Sequence, residues 1–364
     1  MLLFLFLLQL AVWHGLYRRV LRIPDPAPAA QGDLPPLSVL IAARNEAENL
    51  KRFLPTVLNQ DYPVFEVLVI DDAGTDHSET VLNELAGLDG HLRVIRMVGK
   101  QRAGKKDALR RGIGEARYER LVFTDADCMP ASRQWLRRLG EAWGPETDIV
   151  LGYAPFFAED TFFNRWVRFE ADMAAVTYLS LAAAGMPYMG VGRNMGWKRS
   201  LFEKINGFSR HEHLPGGDDD LLVNAAANRQ NTTVVLHPDA FVFSTAKPGL
   251  SPWLRQKRRH LSAGLYYKPG HQVVLFALSF SRALFHLWCA VLLCTTQWPW
   301  AAAALLGRWL LVWPLYGRIQ RRFRSAQHHP MWLSIIAFPV FDLLLSVYDA
   351  FVVPRGLWRR PADW

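Results

Sequence analysis

The chain has 364 residues, of which 51% are hydrophobic and three are cysteines, and it carries a formal net charge of +9. That apolar fraction excludes a disordered chain, and the cysteines lack the CxxC spacing of a zinc site and offer no disulfide framework. The basic residues gather beside apolar segments, a distribution that indicates lipid head groups as their partner and argues against nucleic acid.

Residues 1–23 are predicted to form a transmembrane anchor. The first 17 residues are almost wholly apolar and end at Tyr17-Arg18-Arg19, whereas a signal peptide carries its charge before the apolar stretch. The positive-inside rule then places the N-terminus outside and these arginines inside. Prolines recur through residues 24–36, which predicts a stiff, extended linker and a domain boundary.

Residues 37–250 are predicted to form one α/β domain with a mostly parallel sheet. Short apolar runs alternate with helix-like runs, so helical crossovers should join successive strands. Ligands of such a sheet bind at the carboxyl ends of its strands. The predicted strands are 38–42, 65–70, 92–97 and 120–124, and the predicted helices are 46–59, 78–88 and 106–115.

Apolar composition returns in residues 271–364, the predicted C-terminal transmembrane region, with candidate spans near 272–296, 297–317 and 331–353. Together with the anchor this gives about four spans. The last segment could instead form a re-entrant or interfacial hairpin, since a full span places the basic tail outside. Five residues that interrupt the spans are expected to face protein or water, because each costs a few kcal/mol against lipid: Arg282, His286, Arg308, Asp342 and Asp349.

Two amphipathic helices, near 158–185 and 251–270, are expected to lie on the membrane surface beside this region.

Polar turns follow the first two predicted strands. Asn45-Glu46 opens a helix, where free N–H groups and a carboxylate suit a nucleotide, although an ordinary helix start has the same pattern. Asp71-Asp72 ends the second strand before a glycine turn, and adjacent side chains on a strand point to opposite faces. Asp72 is predicted to face a ligand, with a solvated Asp-Gly turn as the alternative.

Two motifs of opposite charge come next along the chain. Gly104-Lys105-Lys106 opens a helix and suits a diphosphate by charge and helix dipole, without the spacing of a Walker loop. Asp125-Ala126-Asp127 ends the fourth predicted strand. Carboxylates two residues apart project to the same side, so one hard divalent cation could bridge them, or join one of them to a diphosphate.

Two further motifs precede the C-terminal apolar region. Gly216-Gly217 leads into Asp218-Asp219-Asp220, where a transferase could place one base near an acceptor hydroxyl; a capped helix start is the alternative. The stretch from Gln256 to His260 lies on the basic amphipathic helix. Arg259, about one turn after Gln256, could contact a leaving diphosphate, while a plain membrane-surface helix is the alternative.

In order and spacing, these six motifs resemble family-two inverting glycosyltransferases of the GT-A fold, a group that includes cellulose, hyaluronan and chitin synthases and many lipid-linked sugar transferases. The resemblance covers roughly residues 37–265. It implies that Asp219, next to Asp218, is the catalytic base and that Asp127 is the metal ligand. It also implies a donor site formed by Glu46, Asp72, Lys105, Asp125, Gln256, Arg259 and His260.

The resemblance further implies a nucleotide-diphosphate sugar donor, expected to be a UDP-sugar, a Mg²⁺ or Mn²⁺ cofactor and a lipid acceptor. The catalytic domain would face the cytoplasm at a bacterial inner membrane. His260 stands where processive synthases have tryptophan, which disfavours long polymers. A processive polysaccharide synthase and a catalytically silent membrane subunit remain the alternatives. The segment 190–196 falls where the family forms part of its acceptor site.

Overall fold

The computed structural model describes residues 1–97, 104–214, 216–324 and 336–358. Its centre is a seven-stranded sheet with the spatial order β3-β2-β1-β4-β7-β6-β8. The strands are β1 (Leu37–Ala43), β2 (Phe65–Asp71), β3 (Leu92–Arg96), β4 (Arg120–Phe123), β5 (Cys128–Pro130), β6 (Ile149–Leu151), β7 (Met195–Lys198), β8 (Thr232–Val234) and β9 (Val242–Ser244). Strands β5 and β9 pair in a second, two-stranded sheet.

The first four strands are parallel to one another, as predicted, and each predicted strand matches an observed one within a residue. Crossover helices α2 (Ala47–Leu58), α3 (Ser78–Leu88) and α4 (Lys105–Glu115) connect them. All of β2, and β1 apart from Ala42, is buried, the pattern of a parallel sheet covered on both faces. Strand β7 then runs antiparallel between β4 and β6, so the sheet is mixed at this end.

The remaining helices lie outside these crossovers. They are α1 (Leu2–Ala11), α5 (Trp135–Gly140), α6 (Phe162–Ala183), α7 (Arg199–Lys204), α8 (Asp220–Ala226), α9 (Leu250–Ala263), α10 (Pro269–Leu293), α11 (Trp298–Arg322) and α12 (Phe338–Trp358). Helix α1 continues through a π-helical turn, Val12–Leu16, into a 3-10 helix, Tyr17–Arg22. Helix α10 starts at Pro269, three residues before the predicted span, because proline favours the first helical turn.

One hydrophobic core joins the α/β domain to the C-terminal helices through α6. The Phe169 ring lies 5.8 Å from Tyr316 on α11 and 5.3 Å from Phe341 on α12. Helix α9 joins the same core, since Trp253 lies 5.6 Å from Tyr348 on α12. The two amphipathic helices therefore lie between the sheet domain and the C-terminal helices, and their position on a membrane surface remains a prediction.

Charged side chains inside the C-terminal helices face one another, as expected. Arg308 is 0% exposed and both of its terminal nitrogens contact the Asp342 carboxylate. His286 Nε2 lies 3.3 Å from Asp342 Oδ2, and Arg282 Nε donates to Asp349 Oδ2 at 2.6 Å. Each of these five charged or titratable residues thereby has a partner of complementary charge or polarity within the protein.

Among the described residues, one helix, α10, is long and apolar enough over its length to cross a bilayer. The predicted spans at 1–23 and 297–317 remain predictions. The span at 331–353 also remains a prediction, and its first five residues lie outside the described residues.

We expect Arg308→Met to lower the free energy of unfolding by about 3–5 kcal/mol, because it leaves the buried Asp342 carboxylate without its guanidinium partner. Thermal and denaturant unfolding of the purified chain in detergent measures this. The double variant Arg308→Met/Asp342→Leu removes both charges and should recover most of the loss. An Arg308→Met variant as stable as the parent chain would show that the pair does not hold the helices together.

Candidate active site

The turns that follow β1 and β2 are joined to each other by Asn45. This residue adopts a positive φ of 57°, and its side-chain Oδ1 accepts a hydrogen bond from the Thr75 N–H at 2.7 Å. A Cβ on Gly74 would lie 3.2 Å from the Asn45 nitrogen, so glycine permits this close approach. The Asp72 N–H donates to the Ala43 carbonyl at 2.8 Å, which fixes Asp72 at the same sheet edge.

Glu46 shares this edge with the Asp125-Ala126-Asp127 motif. Burial raises the pKa of Glu46, and the nearby charges of Asp127 and Asp125 raise it further, against a hydrogen bond from Asn49 at 2.5 Å. Glu46 is therefore close enough to both aspartates for their charges to act on it. Asp72 is 5% exposed, so only a small part of this residue is open at the sheet edge.

Asp125, Asp127 and Cys128 form the one group of acidic, cysteine or histidine ligands that comes together within the described residues. The Cys128 thiol donates to Asp127 Oδ1 at 3.4 Å. Burial, with the charges of Asp125 and Asp127, raises the pKa of Cys128 well above its ordinary value, so the sulfur stays protonated. The two carboxylates fit a hard divalent ion such as Mg²⁺ or Mn²⁺.

Lys105 connects this acidic group to the loop before α8. Gly104, with φ 126°, opens helix α4, and the Lys105 ammonium pairs with Asp125 Oδ1 and lies 3.9 Å from Asp218 Oδ2. Burial opposes the charge of Lys105, but Asp125 and Asp218 together raise its pKa above the ordinary value. A permanently charged ammonium thus stands between the predicted donor carboxylates and the predicted base.

Asp219 caps the N-terminus of α8 and contacts the predicted acceptor segment. Its Oδ1 accepts from the Asp220 N–H and its Oδ2 from the Gly192 N–H, both at 2.8 Å. A Cβ on Gly192 would lie 3.1 Å from Asp219 Oδ2, so the glycine lets backbone and carboxylate meet. Burial and the charge of Asp218 raise the pKa of Asp219, against these N–H donors and Lys105. A raised pKa makes this carboxylate a better proton acceptor.

Two residues of α8, Asp220 and Asn224, form hydrogen bonds with the residues just before α10. The sequence analysis did not predict these contacts. The Tyr267 hydroxyl donates to Asp220 Oδ2 at 2.7 Å, and the Lys268 N–H donates to Asn224 Oδ1 at 2.8 Å. Asn224 Nδ2 also donates to the Tyr188 carbonyl at 2.9 Å. Asp220 and Asn224 are four residues apart and share one helix face, the only sequence signal of this role.

Helix α9 brings Arg259 and His260 to the opposite side of the loop. A Cβ on Gly216 would lie 3.7 Å from Arg259 Cγ. Burial raises the pKa of Asp125, but the charges of Lys105, Arg193 and Arg259 outweigh burial and lower this pKa. Neighbouring protein atoms, with the charges of Lys257, Arg259 and Arg193, lower the pKa of His260, although the residue is exposed to solvent on α9. Gln256 is partly exposed, and its side chain makes no hydrogen bond within the described part of the chain.

Arg193 is a second residue that the sequence analysis did not single out. Its guanidinium donates to the Ser244 hydroxyl and, at 3.1 Å, to the Ala154 carbonyl, and it lies 4.5 Å from the Phe156 ring. Its charge acts on both Asp125 and His260. The prediction for segment 190–196 rested on its glycines and gave no role to Arg193.

Comparison with known proteins agrees with this geometry. Residues 38–209 match the family model described as Glycosyl transferase family 2. Glycosyltransferase AglE of Haloferax volcanii is 32% identical over 126 residues, which cover 34% of this chain and 40% of that protein. Beta-monoglucosyldiacylglycerol synthase of Nostoc sp. is 36% identical over 104 residues, 28% of this chain and 22% of the relative. The chain thus spans less than half the length of these two relatives.

The fold also resembles a solved structure over nearly its whole length. A mannosyltransferase from Pyrobaculum calidifontis, in complex with GDP-Man and Mn²⁺, superposes with a TM-score of 0.58. The superposition covers 96% of this chain and 99% of the other at 20% sequence identity. The likeness therefore extends from the sheet domain through the C-terminal helices.

Proposed function

Since the chain carries a domain of glycosyl transferase family 2, a GT-A fold, we propose that it is a membrane-bound, inverting enzyme that transfers a sugar from a nucleotide-diphosphate donor to a lipid or membrane-associated acceptor. One observation supports this most strongly: Lys105 contacts Asp125 on one side and lies 3.9 Å from Asp218 on the other. This contact brings the carboxylate motif proposed to bind the donor next to the loop proposed to carry the base. The proposed donor and acceptor parts of the site are therefore adjacent.

The proposed reaction is a single displacement at the anomeric carbon. A hydroxyl oxygen of the acceptor forms a bond to that carbon as the bond from the carbon to the diphosphate oxygen breaks, and Asp219 takes the hydroxyl proton. Lys105 and Arg259 face the departing nucleoside diphosphate and stabilise its negative charge. Asp127, with Asp125 beside it, would hold Mg²⁺ or Mn²⁺, which supplies further positive charge for the diphosphate. Glu46 and Asp72 hold the nucleoside.

The acceptor is proposed to approach on the side of Gly192, where Asp219 meets the segment from Tyr188 to Asn194. A lipid acceptor is supported by the position of α9, which lies between this site and the apolar helix α12. It is supported as well by the Nostoc relative, whose name states a diacylglycerol product. The expected donor is a UDP-sugar, and the Pyrobaculum structure, which holds GDP-Man, makes GDP-sugars a necessary part of any donor screen.

Mass spectrometry of lipid extracts tests the proposed function in cells. Extracts from cells that express the chain should contain a glycosylated lipid that is absent from cells expressing Asp219→Asn. A product with one or few sugars supports a lipid transferase, and a long polymer would support a processive synthase. Identical lipid and polysaccharide profiles in both cell lines would favour a silent membrane subunit.

The ionisation of Asp219 gives a separate prediction. Burial and then Asp218 raise the pKa of Asp219, so transfer should fail as the pH falls through this raised pKa and the base becomes protonated. Asp218→Asn removes one of these causes, and the acid limb of kcat/KM should therefore move to lower pH while turnover is retained. If Asp218→Asn instead abolishes turnover at every pH, Asp218 is the base and the assignment to Asp219 is wrong.

A further inference from the structure

Two helical segments present a continuous stripe of exposed side chains that changes from apolar to arginine along its length. On α11 the exposed positions 303, 306, 310, 314, 318 and 321 recur every three or four residues, the period of one helix face. Leu306 and Leu310 lie near the start of this stripe, and Arg318 and Arg321 end it. Arg308, Val312 and Tyr316 point the other way and are buried.

The N-terminal segment repeats this pattern. Exposed Leu3, Phe4 and Leu7 are followed, after about three further turns, by exposed Arg18, Arg19 and Arg22. Phe4 is 67% exposed and Leu310 on α11 is 69% exposed, so neither apolar stripe is covered by protein. An apolar surface of this kind on two neighbouring helices needs a non-aqueous partner.

The two stripes run side by side and in the same direction. Phe6 lies beside Gly307, Trp13 lies 6.4 Å from Tyr316, and Arg322 donates to the Ile23 carbonyl at 3.2 Å. The arginines of both segments therefore meet at one end of the shared surface. We call Arg18, Arg19, Arg22, Arg318 and Arg321 the arginine collar.

The collar concentrates five positive charges at one end of the two helical segments. Arg322, which is not in the collar, pairs with Asp25 at 2.6 Å, but no collar arginine forms an ion pair with another described residue. The collar also lies on the side of the catalytic domain, because the Ser180 hydroxyl of α6 donates to the Tyr17 carbonyl at 3.3 Å. Five cations at the edge of an apolar surface are complementary to the phosphates of a lipid leaflet.

From this juxtaposition we propose that the arginine collar binds the head groups of anionic phospholipids on the same side of the membrane as the catalytic domain. This inference rests on the membrane attachment in the proposed function and adds the lipid chemistry that the surface selects. Lipid binding would hold α11 and the N-terminal segment at a fixed depth and set the height of the active site above the bilayer.

Native mass spectrometry of the purified full chain in mild detergent, titrated with phosphatidylglycerol or phosphatidylcholine, tests this proposal. We expect phosphatidylglycerol to bind more tightly. Each arginine near an anionic surface contributes about a fivefold gain in affinity. Arg318→Gln/Arg321→Gln should therefore weaken phosphatidylglycerol binding by roughly 25-fold and leave phosphatidylcholine binding unchanged.

Two control variants make the result specific. Arg111→Gln/Arg133→Gln removes the same charge from arginines that are 61% and 62% exposed on the catalytic domain, and it should leave lipid binding unchanged. Arg318→Lys/Arg321→Lys keeps the charge and should retain the preference, with thermal unfolding confirming that each variant is folded.

Equal binding of the two lipids, or a glutamine variant that binds phosphatidylglycerol like the parent chain, would overturn the proposal. The proposal would also be overturned if the parent chain formed a dimer and the glutamine variant did not. The collar would then be a contact between two copies of the chain. The measurement uses neither donor nor acceptor, so an inactive chain would still give the result, and failure of the proposed reaction would be seen separately.

Discussion

Asp219→Asn is expected to lower kcat by about 100-fold or more while donor binding is retained. Asparagine keeps the size of the side chain, and its carbonyl oxygen can still accept one of the two N–H bonds that Asp219 receives from Gly192 and Asp220. What it cannot do is take the proton of the acceptor hydroxyl. Steady-state turnover with saturating donor, together with direct titration of the donor nucleotide, separates the two effects.

Asp220→Asn is the matched control for this variant. It makes the same substitution at the neighbouring residue, whose Oδ2 accepts a hydrogen bond from the Tyr267 hydroxyl at 2.7 Å. We expect a much smaller loss of kcat than for Asp219→Asn. If Asp219→Asn lowers donor affinity and leaves kcat unchanged, Asp219 is a binding residue, and the base must be sought at Asp218 or Asp220.

The second large effect concerns Asp127. Asp127→Asn should reduce transfer by about 100- to 1000-fold in a folded chain, because metal stabilisation of a diphosphate is worth several kcal/mol. The parent chain should lose a comparable share of its activity in EDTA and recover it with Mg²⁺ or Mn²⁺. Titration of the donor nucleotide with and without the ion should show a metal-dependent gain in affinity that Asp127→Asn lacks.

Asp61→Asn controls for the loss of a carboxylate, since Asp61 is exposed and pairs with Arg133 at 2.6 Å near α5. It should behave like the parent chain in both assays. Full turnover in EDTA would contradict the metal assignment, as would a normal rate in Asp127→Asn.

The sequence was most informative where local pattern and function coincide. Strands β1, β2 and β4 are short apolar runs that end in polar motifs, so their bounds and their ligand edge follow from neighbouring residues alone. The contact between Lys105 and Asp125 could be expected on the same ground, since both lie where parallel-sheet ligands bind. The cost of exposing charge to lipid predicted that Arg308 and Asp342 face protein or water, but it did not predict that they pair with each other.

Other parts of the site depend on contacts between distant segments and have no local signature. Strands β6 and β8 have three residues each, too few to show an alternating pattern. Tyr267 reaches Asp220 across 47 positions, and Arg193 reaches Ser244 across 51, so neither role could be inferred from spacing. The number of membrane spans also could not be predicted from the sequence. Inward-facing charges such as Arg308 lower the mean hydropathy of α11, so its composition alone does not decide whether it crosses a membrane.

The most direct test of the account is transfer by the purified full chain in lipid nanodiscs, supplied with UDP- and GDP-linked sugars in turn and with Mg²⁺ or Mn²⁺. Release of nucleoside diphosphate and formation of a sugar-bearing lipid are followed together by mass spectrometry. The account predicts that at least one donor yields both products with the parent chain and neither with Asp219→Asn. If no donor gives more nucleoside diphosphate or glycolipid than the Asp219→Asn control, the chain is not the lipid glycosyltransferase proposed here.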